Sequence, residues 1–328
     1  MKISGTKSTI SQVISMYLDS VYLARSESTY RTYKNALNKY QQVLEVKKID
    51  PDGAPVTSLT EDSIAWFASE LKSYAPSTEQ CYLTAATGLF EYIAGEEIMD
   101  VNLPRVRLLI KQRSRRSGIR LPQFPRNQIE NVIDYALELP QQLPEDDRQR
   151  LINYRDRAFL LTLADTGLRV HEACGLRRGD IDWHEGRAII IGKGNREAVV
   201  RFSGRALRAI KEYLAQRGQL DGASGKALGA LAVFSRHDKG VGSRIEAIST
   251  TTGRQIVKDR VRESVGEEAV GTITPHSFRH YFVTTVLQAS GNLKLAQELA
   301  RHKNIAVTQR YSHLSDDELD KKYLDIFG

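Results

Sequence analysis

The sequence predicts a mainly α-helical protein with a small antiparallel β-sheet: an all-helical first part followed by an α+β second part. Three observations carry this. Apolar residues recur at helical period through residues 8–103 and through most of 127–328. The period changes to two only between Asp180 and Phe202. Capping residues and glycines separate the periodic runs.

A first helix is expected over 8–24, where Ile10, Val13, Ile14, Tyr17, Leu18 and Val21 make one stripe. A second spans 28–46, with Tyr30, Tyr33, Leu37 and Tyr40 on one side, and Asp50-Pro51-Asp52-Gly53 is a turn. Thr60 is read as the cap of a third helix containing Ile64, Phe67 and Leu71. Ser77-Thr78-Glu79-Gln80 has the form of a capping box for a fourth helix, through Tyr92. Tyrosines at helical spacing are read as packing groups before they are read as platforms for nucleic-acid bases.

In the second part, helices are expected over 127–139, with Asn127 and Glu130 as a cap pair, over 145–164, and over 168–175 after Thr166-Gly167. Strands follow at 180–183, 188–191 and 198–202, the last two joined through Gly192-Lys193-Gly194-Asn195. Ser203 caps a helix that Gly218 closes, and residues 219–248, rich in Gly and Ser, read mostly as loop. A helix over 250–265 precedes T-P-H-S-F-R-H, in which Thr274 and Pro275 open another. Gly291-Asn292 breaks it, and a following helix, with Leu293, Ala296 and Leu299 inward, delivers His302. Asn304 then caps a short helix bearing Tyr311. Ser315 with Glu318 forms a last capping box, ahead of an apolar stripe of Leu319, Tyr323 and Ile326.

A chain of 328 residues has room for two cores. No apolar run reaches the ~18–20 residues of a membrane span, and the N-terminus has no signal-peptide pattern. Cys81 and Cys174 are the only cysteines, too few for a disulfide framework, so a reducing, cytoplasmic setting is expected. The net charge of +7 is unevenly placed: residues 1–103 carry −4, residues 104–126 carry +8 and residues 127–328 carry +3. That middle stretch holds Arg105, Arg107, Lys111, Arg113, Arg115, Arg116 and Arg120 with no acid among them, and prolines at 104, 122 and 125 oppose regular structure. It reads either as a tether or as an arm along a phosphate backbone. The interleaved Ile, Leu and Phe, able to anchor it on its flanks, favour the arm.

The chemistry-bearing residues follow. In T-G-L-R-V-H-E, Glu172 stands three residues after Arg169, a spacing at which a carboxylate can orient a guanidinium; a surface ion pair is the plain alternative. Lys193 lies in a glycine-flanked hairpin tip, and by itself is as well read as a solvated turn lysine. His276 and Arg279, three apart, share a helix face, and His302 precedes Tyr311 by nine residues. His276 and His280 form H-x-x-x-H, yet the glutamate of a zinc protease is missing and no third ligand stands out. His171, His184, His237 and His313 carry no resolved signal of their own.

Taken together and in this order, T-G-L-R-x-x-E, G-K-G-N, H-x-x-R, R-H and a tyrosine nine residues on resemble the tyrosine recombinase (phage integrase) family across residues 166–311. The resemblance implies a helical core-binding domain over 1–103, a basic linker over 104–126, a catalytic domain over 127–311 and a tail helix over 312–328 used in subunit exchange. It makes Arg169 and Arg279 the phosphate-clamping arginines, Lys193 the hairpin lysine, His276 and His302 the two histidines, Tyr311 the nucleophile and Glu172 the supporting acid. There are departures. Ala300-Arg301-His302 stands where leucine-glycine-histidine is usual, and Ser277-Phe278 replaces the usual pair between His276 and Arg279. The helical part begins within the first ten residues, so the likeness is to the simpler Xer-type members that lack an arm-site-binding domain.

The residue types suit that chemistry. Exchange of one phosphodiester for another loads charge on the non-bridging oxygens, which two permanently charged, fork-shaped guanidiniums fit better than lysines. No metal or nucleotide cofactor is expected. The implied partners are double-stranded DNA with inverted half-sites and further copies of the chain, as a homotetramer in the synaptic complex, with room for an accessory protein and no membrane. A recombinase-like protein that binds without cutting and a monomeric type IB topoisomerase are the rival readings.

Overall fold

The computed structural model describes residues 8–115, 125–192, 196–238, 240, 242 and 244–302. Lys193, Tyr311, Arg116, Arg120, the Asn304 cap and the whole tail stripe fall outside the described residues. The architecture is as expected, mainly α with one three-stranded antiparallel sheet. It divides into two compact units, Met1–Ile119 and Arg120–Gly328.

The first unit is built from helices α1 (Ile10–Ala24), α2 (Glu27–Val46), α3 (Asp62–Glu70), α4 (Pro76–Gly95) and α5 (Leu103–Arg113). Thr9 and Gln12 close a capping box on α1, and Ser26 caps α2. The apolar stripes meet in one core around Leu37, Tyr40, Leu44, Phe67, Leu89 and Phe90. The tyrosines are packing groups there: Tyr40 is fully buried, its hydroxyl 2.6 Å from Ser63 Oγ, and Tyr17 packs on Tyr92 with ring centroids 5.6 Å apart.

Three local expectations are corrected. Helix α3 starts behind Glu61, with no side-chain cap from Thr60. Helix α4 starts with Pro76 at its first position. Glu79 is not a capping acid but a buried carboxylate, holding Lys72 Nζ at 2.8 Å and Arg115 Nε at 2.6 Å. The third correction is α5. Its Pro104 lies in the first turn, where a proline's missing N–H costs no hydrogen bond, and Asn102 caps it. Val106 and Leu109, three apart, then bury their side chains in the first core.

The second unit runs α6 (Arg126–Glu138), α7 (Asp147–Thr166), α8 (Val170–Gly175), β1 (Ile181–Asp182), β2 (Arg187–Gly192), β3 (Arg196–Arg201), α9 (Gly204–Gln216), α10 (Gly218–Ala223), α11 (Thr250–Ser264), α12 (Pro275–Ser290) and α13 (Leu293–Ala300). Helix α6 has Pro125 before it, and Glu130 pairs with Arg126 instead of capping with Asn127. Helix α7 is the axis: its first half is largely polar, and from Ala158 to Ala164 every residue is buried, Phe159, Leu160, Leu161 and Leu163 among them. In the sheet Ala188 faces Val200 and Ile190 faces Ala198. Ala188, Ile190 and Val200 bury inward, while Ile189, Ile191 and Val199 face out.

The stretch 219–248 departs most from its expected loop. After α10, Leu231, Val233, Phe234, Ile245 and Ile248 are buried, and Phe234 packs edge-on against Phe159 with centroids 5.1 Å apart. What holds this glycine-rich chain in place is Arg217, which is fully buried. It pairs with Asp221 at 2.7 Å and donates to the carbonyls of Ala232 (2.8 Å) and Val233 (3.0 Å).

Candidate functional site

The site lies in the second unit, where the end of α7, the start of α12 and the end of α13 come together. Helix α7 stops at Gly167, whose φ of 59° is left-handed and whose added Cβ would fall 2.5 Å from the Phe282 ring. That turn throws the chain into Arg169, the N-cap of α8. Gly167→Ala is therefore expected to destabilise the second unit by about 2 kcal/mol or more, from left-handed strain plus overpacking. Urea unfolding of the variant checks it, and an unchanged midpoint would refute the account of the turn.

Glu172 is buried on the first turn of α8. Its Oε1 takes the Arg169 guanidinium at 2.9 Å, and its Oε2 accepts the Arg169 backbone N–H at 2.8 Å. Burial alone would push its carboxyl up. The Arg169 N–H and the guanidiniums of Arg301 and Arg169 outweigh that, so it lies below the ordinary carboxylate range. The pair is thus no surface ion pair, since the carboxylate end is desolvated while Arg169 stays partly open to solvent.

Helix α12 presents His276 and Arg279. At its start, Ser277 Oγ accepts the Thr274 N–H at 3.1 Å and donates to Thr272 O at 3.1 Å, so the unusual serine between His276 and Arg279 secures the first turn. Arg279 is buried, donating from Nη1 to Gly167 O and from Nη2 to Ala300 O. One guanidinium thereby ties the end of α7 to the end of α13. Burial, then Arg279 and Arg169, hold the His276 imidazole below its ordinary value. His280 stacks edge-on against His276 with centroids 4.2 Å apart, and burial and the nearby His276 push it down to about 4.

Beyond Gly291, with a φ of 62°, α13 is capped by the Asn292 side chain and packs through Ala296 and Ala300. His302 follows it, its carbonyl accepting from Gln297 Nε2 at 3.0 Å. Burial, then Arg279, Arg169, His276 and Arg301, push His302 down to about 4. The structure thus brings Arg169, Glu172, His276, Arg279 and His302 into one electrostatic neighbourhood. Among the described residues no group of three or more His, Cys, Asp and Glu side chains is placed to hold a metal ion. No described helix is long and apolar enough to cross a membrane.

A cavity of about 700 Å³ opens beside these groups, lined by Arg169, His276 and Arg279 and, from α11, by Arg254 and Lys258. Sequence reading missed the last two. Their four-residue spacing was the available signal, and it looks the same as any solvated helix face. Arg301, the departure from the usual glycine before His302, has its guanidinium turned inward onto Glu172 at 3.0 Å.

In the basic stretch, Lys111 and Arg113 are exposed near the end of α5. Arg105 pairs with Asp62 at 2.9 Å, Arg107 with Glu91 at 2.8 Å and Arg115 with Glu79 at 2.6 Å. The stretch is therefore not uncompensated. Its acids come from α3 and α4, too distant in sequence for a local charge tally to find.

The phage integrase family model matches residues 126–318. The tyrosine recombinase XerC of Thermodesulfovibrio yellowstonii is 29% identical over 315 residues, covering 94% of this chain and 94% of the relative. XerC of Actinobacillus pleuropneumoniae is 33% identical over 246 residues, covering 74% of this chain and 69% of its own length. XerC of Pelobacter propionicus is 37% identical over 191 residues; the match spans 58% of this chain and 57% of that relative. Among solved structures, XerH site-specific recombinase bound to a palindromic difH substrate superposes at a TM-score of 0.67 with 18% identity, covering 96% of this chain and 84% of that one. A lambda integrase dimer bound to a COC′ core site superposes at 0.62 with 16% identity, covering 94% and 79%. At those identities the two structures establish a shared fold.

Proposed function

The chain belongs to the phage integrase family, and from that premise we infer that it is a site-specific DNA recombinase, cleaving and rejoining DNA through a 3′-phosphotyrosyl intermediate at Tyr311. The observation that carries the reading is the convergence of Arg169, His276, Arg279 and His302, from three separate segments, on one neighbourhood beside an open cavity.

In this reading Arg169 and Arg279 hold the non-bridging oxygens of the scissile phosphate, and their aim is fixed before the substrate arrives, by Glu172 and by the Gly167 and Ala300 carbonyls. The Tyr311 hydroxyl attacks phosphorus and loses its proton to His276, directly or through a water. A phenol's pKa is about 10, so this transfer has to accompany the attack. The bond to the 5′-oxygen breaks, and Lys193 is assigned to protonate the departing alkoxide. A 5′-hydroxyl of the second duplex then attacks the phosphotyrosine, releasing Tyr311 and restoring a phosphodiester. His302, neutral at working pH, donates its one ring N–H to a phosphate oxygen. Arg254 and Lys258 extend the positive rim along the backbone, and Lys111 and Arg113 serve as phosphate contacts of the first unit. The assembly proposed is a homotetramer on two duplexes with inverted half-sites, coupled through residues 312–328.

A nicked duplex, selected by binding from a random pool, tests this. The chain should form a covalent adduct without added metal or nucleotide, and peptide mapping should place the DNA on Tyr311. A depressed His276 stays a proton acceptor below the ordinary imidazole value of about 6.5, so the acid limb of the cleavage rate should fall below that pH. No adduct, or an adduct on another residue, sinks the reading. Relaxation of plasmids lacking the selected site would favour a topoisomerase instead.

A further inference from the structure

Arg301 ends α13 with φ 57° and ψ 42°, a left-handed conformation ordinarily left to glycine because a Cβ crowds the backbone there. Nor does its side chain escape to solvent, being only 11% exposed. Nη2 donates to Glu172 Oε2 at 3.0 Å and lies 3.5 Å from Gly167 O. Nη1 is buried and, among the described residues, has no hydrogen-bond partner. A non-glycine backbone held in that conformation, with its side chain turned inward, means that something else about the placement is being maintained.

What the placement maintains is visible in the acceptors. The Glu172 carboxylate is the group that orients Arg169, and the Gly167 carbonyl is one of the two that orient Arg279. The other, Ala300 O, belongs to the residue preceding Arg301. Arg301 is thus bonded to one holder of each catalytic guanidinium.

We propose that Arg301 is a positioning residue of the phosphate site, its guanidinium locking Arg169 and Arg279 relative to one another by bridging Glu172 and Gly167. The inference rests on the recombinase reading above. It follows that Glu172's single negative charge is divided between two guanidiniums, leaving the site more positive toward a phosphate than the Arg169–Glu172 pair alone would be. It also follows that the turn carrying His302 is anchored to the turn carrying Arg169, so registry between them does not wait for DNA to impose it. The nearby cation also contributes to the lowered His302 value.

Arg301→Gly removes the guanidinium while relieving the backbone, and Arg301→Met removes the charge while keeping much of the volume. In the full-length chain both are expected to keep binding the selected duplex, with affinity falling far less than the cleavage rate, because most phosphate contacts lie elsewhere. Both should form the covalent adduct about tenfold or more slowly, the usual size of loss when an orienting partner goes. In a Glu172→Gln background the further loss from Arg301→Gly should shrink, because the shared carboxylate is no longer there to lock. His302, followed by NMR with labelled histidine, should titrate higher in Arg301→Gly than in the unaltered chain, a shift that needs no turnover. If the unaltered chain forms adduct, and both variants match its rate, its pH profile and its His302 titration, this inference alone falls. If the unaltered chain forms no adduct at all, the recombinase reading falls and takes the inference with it.

Discussion

Arg279→Ala is expected to slow formation of the covalent adduct by about 10²–10³-fold, the loss typical of deleting one preorganised donor to a developing oxyanion. The effect should exceed anything explained by stability. Arg279 is buried, and two of its acceptors, the carbonyls of Gly167 and Ala300, terminate the helices that lead into Arg169 and His302. Deleting it strips charge from the phosphate site and leaves two carbonyls short of a donor, so some destabilisation, about 1–3 kcal/mol, accompanies the loss. Arg279→Lys separates the two effects. An ammonium keeps the charge but lacks the planar fork that reaches two diverging carbonyls. The lysine variant should melt closer to the parent and still lose most of the rate. Single-turnover cleavage of the nicked duplex, run well below both melting temperatures, is the measurement. A lysine variant cleaving at the parental rate would show that charge alone matters and that the fork geometry does not.

The motifs were legible because each is local. Gly167 before Arg169, Glu172 one turn on and the H-x-x-R spacing all lie within single turns of chain, and the structure builds them as such. The sheet was legible because a change of period is also local, and its strands lie within two residues of the expected bounds. What escaped reading depends on distance in sequence. Glu79 looks like a capping acid until Arg115, 36 residues later, is folded onto it. Arg301 is legible in sequence only as a departure from the usual glycine, and its partner Glu172 lies 129 residues earlier. Residues 103–113 were misjudged for another reason: a proline was taken as a breaker where its position in the first turn makes it a starter. Glycine-rich residues 219–248 were misjudged because composition does not reveal that a buried arginine from the preceding helix would satisfy the loop's carbonyls.

That arginine sets up the largest expected stability effect, in Asp221→Ala. Asp221 is buried and its carboxylate receives Arg217 at 2.7 Å and Arg178 at 2.6 Å, while Arg217 itself has no exposed surface. Removing the carboxylate leaves a desolvated guanidinium with only neutral partners: the Ala232 and Val233 carbonyls, Ser235 Oγ and the Tyr213 hydroxyl. Breaking a buried pair from one side costs about 3–5 kcal/mol, a large share of a domain's stability. Replacing both charges is a different perturbation, since two apolar groups of similar volume leave no charge unpaired. Arg217→Met combined with Asp221→Leu should therefore be less destabilised than Asp221→Ala alone, although the loop carbonyls lose their donor and hold it short of the parent. Trp183, whose indole N–H donates to Arg178 O at 3.2 Å, reports this region, and Trp66→Phe silences the only other tryptophan. Urea unfolding followed by Trp183 fluorescence reads the second unit by itself, as a chain of two units requires. If Asp221→Ala costs less than about 1 kcal/mol, the surface range for an ion pair, then Arg217 is adequately solvated by carbonyls alone, and the loop that seats Phe234 against α7 is held by packing and not by charge.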